Sequence, residues 1–302
     1  MSVARRTSKE QPVPATAAPS KFTFPSSSHL LITCPSRIFS WDSTGVKPIF
    51  RSSKSGIVAA REAKDGSGVL AIADKQVVVL HDTKRGQEKS WGLDAEQDEV
   101  RHLEYTADAK SLFLSTQLTP DIQRYSTERS KLLDPTHVHV SPPVALAVSP
   151  TGHAMVSASD HPPTVYLKNL AYNSSPILIE PRVSRAAVSV ITFHPERANI
   201  FLMAFRDGSV AAYDSTRIGR NQGGQFADQQ SINHGQISSF LKLHRATTDT
   251  SNLASITSAA FLPGFKTRAV TVGSDGRCRM IDFAGKGEVL RTWHAKAPVT
   301  SV

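Results

Sequence analysis

Short apolar segments that read as first strands of a repeated unit begin at Ile57, Val100, Pro143, Val188, Ile256 and Val299. They are separated by 43, 43, 45, 68 and 43 residues. A near-constant period in the forties limits the fold more than composition does. A self-similar unit of that length is one supersecondary module stacked on copies of itself. The last start stands three residues before the final one, Val302.

The units share an order of parts. A first strand runs to an apolar or aromatic residue and a proline or turn, as in Val188 to Pro195 and Ile256 to Pro263. A second apolar run of about five residues follows: Val69–Ala73, Ser111–Ser115, Ala154–Ala158, Ile200–Ala204 and Ala269–Gly273. Bounded by turn residues, these runs read as buried strands and not as helices. Tight turns come next at Asp74-Lys75, Asp207-Gly208 and Asp275-Gly276, and in the two Asp-Gly turns glycine tolerates the positive φ a two-residue hairpin needs. A third strand then ends on a polar residue: Ile38–Asp42, Val78–Asp82, Val210–Asp214, Arg279–Asp282, and more weakly Tyr166–Asn169. A polar fourth strand, such as Gly287–Trp293, completes the unit. Four antiparallel strands per forty-odd residues make a blade, and radial repetition of blades leaves only short edges.

In these features the chain resembles the WD40-repeat β-propeller family, whose units run from a Gly-His pair to a Trp-Asp pair. Trp41-Asp42 matches that ending, and His81-Asp82, Tyr213-Asp214 and Ile281-Asp282 are degenerate forms of it. His294, five residues before Val299, stands where the family's opening His stands. Asp207 and Asp275 occupy the turn position of a hydrogen-bonded set of Asp, His, Ser or Thr, and Trp that often braces family blades. The opening His is missing from most repeats. The resemblance therefore implies an all-β propeller held mainly by strand pairing and apolar packing.

The expected organisation is a basic, proline-rich, disordered tail over 1–20 and a propeller over 21–302. Blades start near 21, 57, 100, 143, 188, 256 and 299, with Phe22–Phe24, Leu30–Thr33 and Ile38–Asp42 as strands of the first. Six blades and the first strand of a seventh result. An incomplete ring is expected, with a six-bladed ring and a spare tail as the alternative. The 68-residue spacing places an insertion at about 215–252, with a displaced fourth strand inside the apolar stretch Ile237–His244.

The N-terminal stretch has no apolar core after its Arg5, Arg6 and Lys9, which argues against a secretory signal. No apolar run approaches the length of a membrane span. Cys34 and Cys278 have neither zinc spacing nor a disulfide framework, and their apolar surroundings suggest small core residues in a reducing compartment. A cytoplasmic or nuclear location is expected. The net charge of +9 divides into +2 over residues 1–180 and +7 over 181–302. Such asymmetry suits an acidic partner or a nucleic acid, or simply a solvated basic face.

Few residues suggest chemistry. Gly219, Gly223 and Gly224 lack the Lys-Ser/Thr of a phosphate loop. His137 and His139 have no further ligands nearby, and read as a solvated or loop pair. Asp160-His161-Pro162-Pro163 reads as an elongated hairpin turn. No activated nucleophile, metal site or cofactor site stands out, so no catalysis and no cofactor are expected. The resemblance implies a scaffold for protein partners. The alternative is a nucleic-acid-associated assembly factor working through a basic surface. Arg217, Arg220, Lys242 and Arg245, in and around the inserted loop, are the candidate partner-contacting residues.

Overall fold

The computed structural model describes residues 29–53, 56–93, 97–172, 174–218, 235–244 and 254–295. They form six antiparallel sheets, one of three strands and five of four. Blade I holds β1 (Leu30–Cys34), β2 (Arg37–Asp42) and β3 (Gly45–Arg51). Blade II holds β4 (Ile57–Glu62), β5 (Val69–Asp74), β6 (Val77–Asp82) and β7 (Glu88–Gly92). Blade III holds β8 (Val100–Tyr105), β9 (Ser111–Thr116), β10 (Asp121–Ser126) and β11 (Lys131–Val138). Blade IV holds β12 (Pro143–Val148), β13 (Ala154–Asp160), β14 (Pro163–Asn169) and β15 (Ile177–Ile179). Blade V holds β16 (Val188–Phe193), β17 (Ile200–Phe205), β18 (Val210–Asp214) and β19 (Gln236–Phe240). Blade VI holds β20 (Ile256–Phe261), β21 (Arg268–Gly273), β22 (Arg277–Asp282) and β23 (Glu288–His294).

The five starts from Ile57 to Ile256 are the first residues of β4, β8, β12, β16 and β20. These inner strands neighbour one another in sequence order, with β1 against β4, so the repeat is radial. The all-β propeller expectation holds. Its strand count differs in blade I, which has three strands among the described residues. Phe22–Phe24 and Val299 lie outside the described residues.

The core is a set of seams between blades. Blades IV and V share one built on Phe201, Met203 and Phe205, and blades II and III share another around Leu103, Leu112 and Leu114. The second strands of blades II to V are flanked by a neighbouring blade on both sheet faces. β9 and β17 are therefore buried along their whole length, β17 as an unbroken apolar run and β9 as Leu112–Leu114 flanked by buried Ser and Thr. Full burial of one such Phe, Leu or Met side chain stabilises by about 1.5–3 kcal/mol. Each of the five inner strands also carries a β-bulge next to its first residue. A bulge adds local twist, and here it recurs with the repeat.

The aspartates that end third strands close the following turn. Asp42, Asp82, Asp214 and Asp282 accept the backbone N–H two residues on, from Thr44, Lys84, Thr216 and Ala284, at 2.7–3.0 Å. Asn169 does the same for Ala171. This Asx-type turn explains why a carboxylate or amide recurs at that position. Trp41, one residue earlier in blade I, is 38% exposed. The inserted segment begins with a 3₁₀ turn, Ser215–Arg217, and returns as β19 against β18. The displaced fourth strand is thus where the apolar stretch placed it. Among the described residues no helix is long and apolar enough to cross a membrane.

Candidate functional site

The register fixes which loops share a face. Ile57 pairs with Asp74, Val100 with Thr116, Pro143 with Ser159, Val188 with Phe205 and Ile256 with Gly273. The connections between blades and the hairpins between second and third strands therefore project from one side, here the upper face. Polar ties join them. Ser52 donates to Asp74 in blade II, and Ser184 donates to Asp207 at 2.8 Å in blade V. Asp98 accepts from the Gln117 and Leu118 amides in blade III. His139 meets Ser157 at 2.8 Å in blade IV.

Blade VI has the fullest set. His244 Nδ1 lies 2.9 Å from Asp275 Oδ1 and 2.7 Å from an Arg279 guanidinium nitrogen, and its Nε2 lies 3.0 Å from the Thr271 hydroxyl. Arg279 donates to the other Asp275 oxygen at 3.1 Å. Burial would raise the Asp275 carboxyl, but its hydrogen bonds with His244, the Arg277 amide and the Arg279 guanidinium outweigh it and hold it below the usual range. An acid, a His and a hydroxyl in line have the order of a catalytic triad. Here His244 and Thr271 are both 0% exposed, so no substrate reaches them. The set is a brace. It adds a buried polar tie to the strand pairing and apolar packing that mainly hold the blades, with Arg279 of the third strand as its fourth member.

His139 also departs from expectation. It is buried, with its ring 4.7 Å from His137 and 5.0 Å from Tyr166. Cys34 and Cys278 are free and half-buried, not enclosed in the core. The turn after Asp160 is tight: Asp160 pairs directly with Pro163. Among the described residues no three His, Cys, Asp or Glu side chains converge as a metal site.

The upper face opens into a groove of about 540 Å³ between blades IV and V. Ser159 and Thr164 form its wall, their hydroxyls 2.6 Å apart. Leu178 and Pro181 supply apolar surface, and Arg182 and Arg185 come from the connection into β16. Neither arginine forms an ion pair with any described residue. Glu180 is the one acid in the lining. Beside the groove, Arg206 of blade V reaches Asp160 of blade IV at 2.9 Å, and His161 meets the same carboxylate at 2.9 Å. Burial pushes Asp160 up, but hydrogen bonds from His161 and Arg206 hold it below the usual carboxylate range.

Of the four candidate partner-contacting residues, the two that are described, Arg217 and Lys242, stand apart. Arg217 follows Asp214 at the lower end of β18 and lies 3.5 Å from that carboxylate. Lys242 follows β19 at the upper end, where its amide bonds Ser209. Val210 pairs with Phe240 and Tyr213 with Gln236, so the hairpin separates the two cations by its full length. Arg220 and Arg245 lie outside the described residues. His294 ends β23 opposite Arg277. Sequence reasoning missed Arg182 and Arg185 because Pro181 to Ala187 is a connector without periodicity. The one signal was two arginines three apart just where the basic half of the chain begins.

No protein-family model matches the chain, and no curated protein sequence matches it. Among solved structures it is similar to a chain in the crystal structure of the mitotic checkpoint complex, at 12% identity and a TM-score of 0.68. That match covers 99% of this chain and 91% of the other. It is also similar to the computationally designed Ika8 protein, at 18% identity and a TM-score of 0.62, covering 88% of this chain and 71% of that one. At such identities the likeness is of fold alone, that of a β-propeller.

Proposed function

We propose that the chain is a non-catalytic platform that holds a protein partner at the upper face, with the groove between blades IV and V as the contact. The observation that carries this reading is the pairing of exposed apolar surface at Leu178 with two arginines that form no ion pair with any described carboxylate. Rigid sheets on both sides fix these groups in place, so little order has to be imposed on binding. The checkpoint-complex neighbour, a member of a multi-protein assembly, is compatible with such a role. A nucleic acid would use the same charge, but the groove lining has no aromatic side chain on which a base stacks. A nuclear or cytoplasmic setting suits either partner.

The test is cross-linking with mass spectrometry in extracts of the source cells, comparing the native chain with an Arg182→Glu/Arg185→Glu variant. A protein cross-linked near Leu178 in the native chain and lost from the variant is the expected result. An identical cross-link map for both would overturn the reading.

A further inference from the structure

β15 is the last strand in its sheet, with β14 on one side and, among the described residues, no strand on the other. It consists of Ile177, Leu178 and Ile179, and it is the only outer strand among the described residues built wholly of apolar residues. An exposed edge with unpaired N–H and C=O groups is a template for another strand, and proteins usually blunt it with charge or proline. The other outer strands are blunted. β3 carries Lys47, Pro48 and Arg51, β7 carries Glu88 and Lys89, β11 carries Lys131, Asp134 and Pro135, and β23 carries Glu288 and Arg291. β19 has polar residues, and Gly287 of blade VI lies so close that a Cβ there would meet Ser238 and Phe240 at 2.9 Å. Ile177 and Leu178 remain 42% and 48% exposed.

Just beyond the C-terminal end of β15 stand Arg182 and Arg185. Resting on the platform reading, the geometry points to strand addition: an extended partner segment pairs with the free edge of β15, and acidic residues at one end of that segment meet the two arginines. Main-chain hydrogen bonds supply the hold, and side chains at the ends choose the partner. The occupant is an acidic, β-forming peptide. Glu180 opposes a uniformly acidic strand, so the acidic residues belong at the end of the segment, with apolar and small polar ones along β15. The charge surplus of +7 in residues 181–302 favours the approach of such a segment.

The test uses the full chain and fluorescein-labelled peptides of alternating Thr and Val. One set ends in three acidic residues at its N-terminus, one at its C-terminus, and a control ends in three serines. One acidic set is expected to bind at least about tenfold more tightly than the control, with the preferred end reporting strand direction. Arg182→Glu/Arg185→Glu is expected to abolish that preference. Leu178→Lys, a change at an exposed position, is expected to weaken all three, and hydrogen exchange is expected to slow at Ile177–Ile179 on binding. Equal binding by native and Leu178→Lys proteins would overturn strand addition. Tighter binding of a poly-thymidine strand than of either acidic peptide would overturn the choice of partner. If no peptide binds while the protein cross-link still depends on Arg182 and Arg185, strand addition falls and the platform stands. If the cross-link also ignores the arginines, both fall.

Discussion

His244 Nδ1 lies 2.9 Å from Asp275 Oδ1, although 31 residues and part of an insertion separate them. The bond pins the end of the inserted segment to the second hairpin of blade VI. A second tie runs to blade V, where the His244 amide donates to Gly208 at 3.1 Å. His244 is thus held by two blades at once.

Replacing His244 with Ala removes one hydrogen-bond partner from the buried Asp275 carboxylate and one from the Thr271 hydroxyl. Losing one side of such a buried network costs about 2–4 kcal/mol. Urea unfolding of His244→Ala is expected to show that loss, while Arg217→Ala, on the exposed lower face, stays within about 0.5 kcal/mol. A native-like midpoint for His244→Ala would mean that the brace adds nothing to stability.

Gly273 sits against this brace. A Cβ there would lie 2.4 Å from His244 Nδ1 and 2.9 Å from Asp275 Oδ1. His244 has hydrogen bonds at both ring nitrogens and does not swing aside freely. Gly273→Ala is expected to destabilise by about 1–3 kcal/mol as an overpacked site. In a His244→Ala background the clash with the imidazole is gone, so the same change is expected to cost less than half as much. Strict additivity in the double-mutant cycle would rule out this contact as the cause.

The Arg61–Glu104 pair makes a contrast. It joins β4 to β8 at 3.0 Å, the two residues one repeat apart, with side chains 49% and 23% exposed. Exposed pairs of this kind contribute little, because water and salt screen them. Glu104→Ala is expected to lower stability by less than about 1 kcal/mol, with the difference shrinking in 1 M salt. A loss as large as that of His244→Ala would show that charge between blades matters more than the buried brace.

The repeat was legible because β5, β9, β13 and β17 sit between two blades and must be largely apolar on both faces. Their runs stand out at constant spacing. β10 was not legible: Asp121, Gln123 and Arg124 are half-exposed residues of a third strand, and the run offers no apolar block. The brace was hidden for a different reason. His244 stands twelve residues before Ile256, because the connection into blade VI is long, so a search just ahead of the first strand finds nothing. Serine at the equivalent place in blades II and V, Ser52 and Ser184, carries too little compositional signal to be told from any loop serine. The groove was least visible, since Leu178, Arg182 and Arg185 gain meaning only when β15 proves to be an outer strand.

Acid sensitivity follows from the imidazoles. His139 is 4% exposed, its Nε2 faces Ser157, and its Nδ1 has no partner. Burial, with the neighbouring His137 adding to it, pushes its pKa from 6.5 down to about 4. His102 is likewise pushed down to about 4, chiefly by burial and further by Arg101 and Arg61, with its Nε2 unpartnered. Burial also lowers His244, against the pull of Asp275. Between pH 6.5 and about 4 the unfolded chain takes up protons at these sites that the folded chain refuses. Their stabilising effect is therefore complete above pH 6.5 and is lost as the pH falls toward 4. For His139 the loss amounts to roughly 2–3 kcal/mol. Asp275, held below 3.8, loses its stabilising effect only at lower pH, so the two effects separate. Urea midpoints are expected to drop steadily from pH 7 to pH 4.5, and His139→Gln to flatten that slope. A midpoint constant across this range would refute the assignment of buried neutral imidazoles.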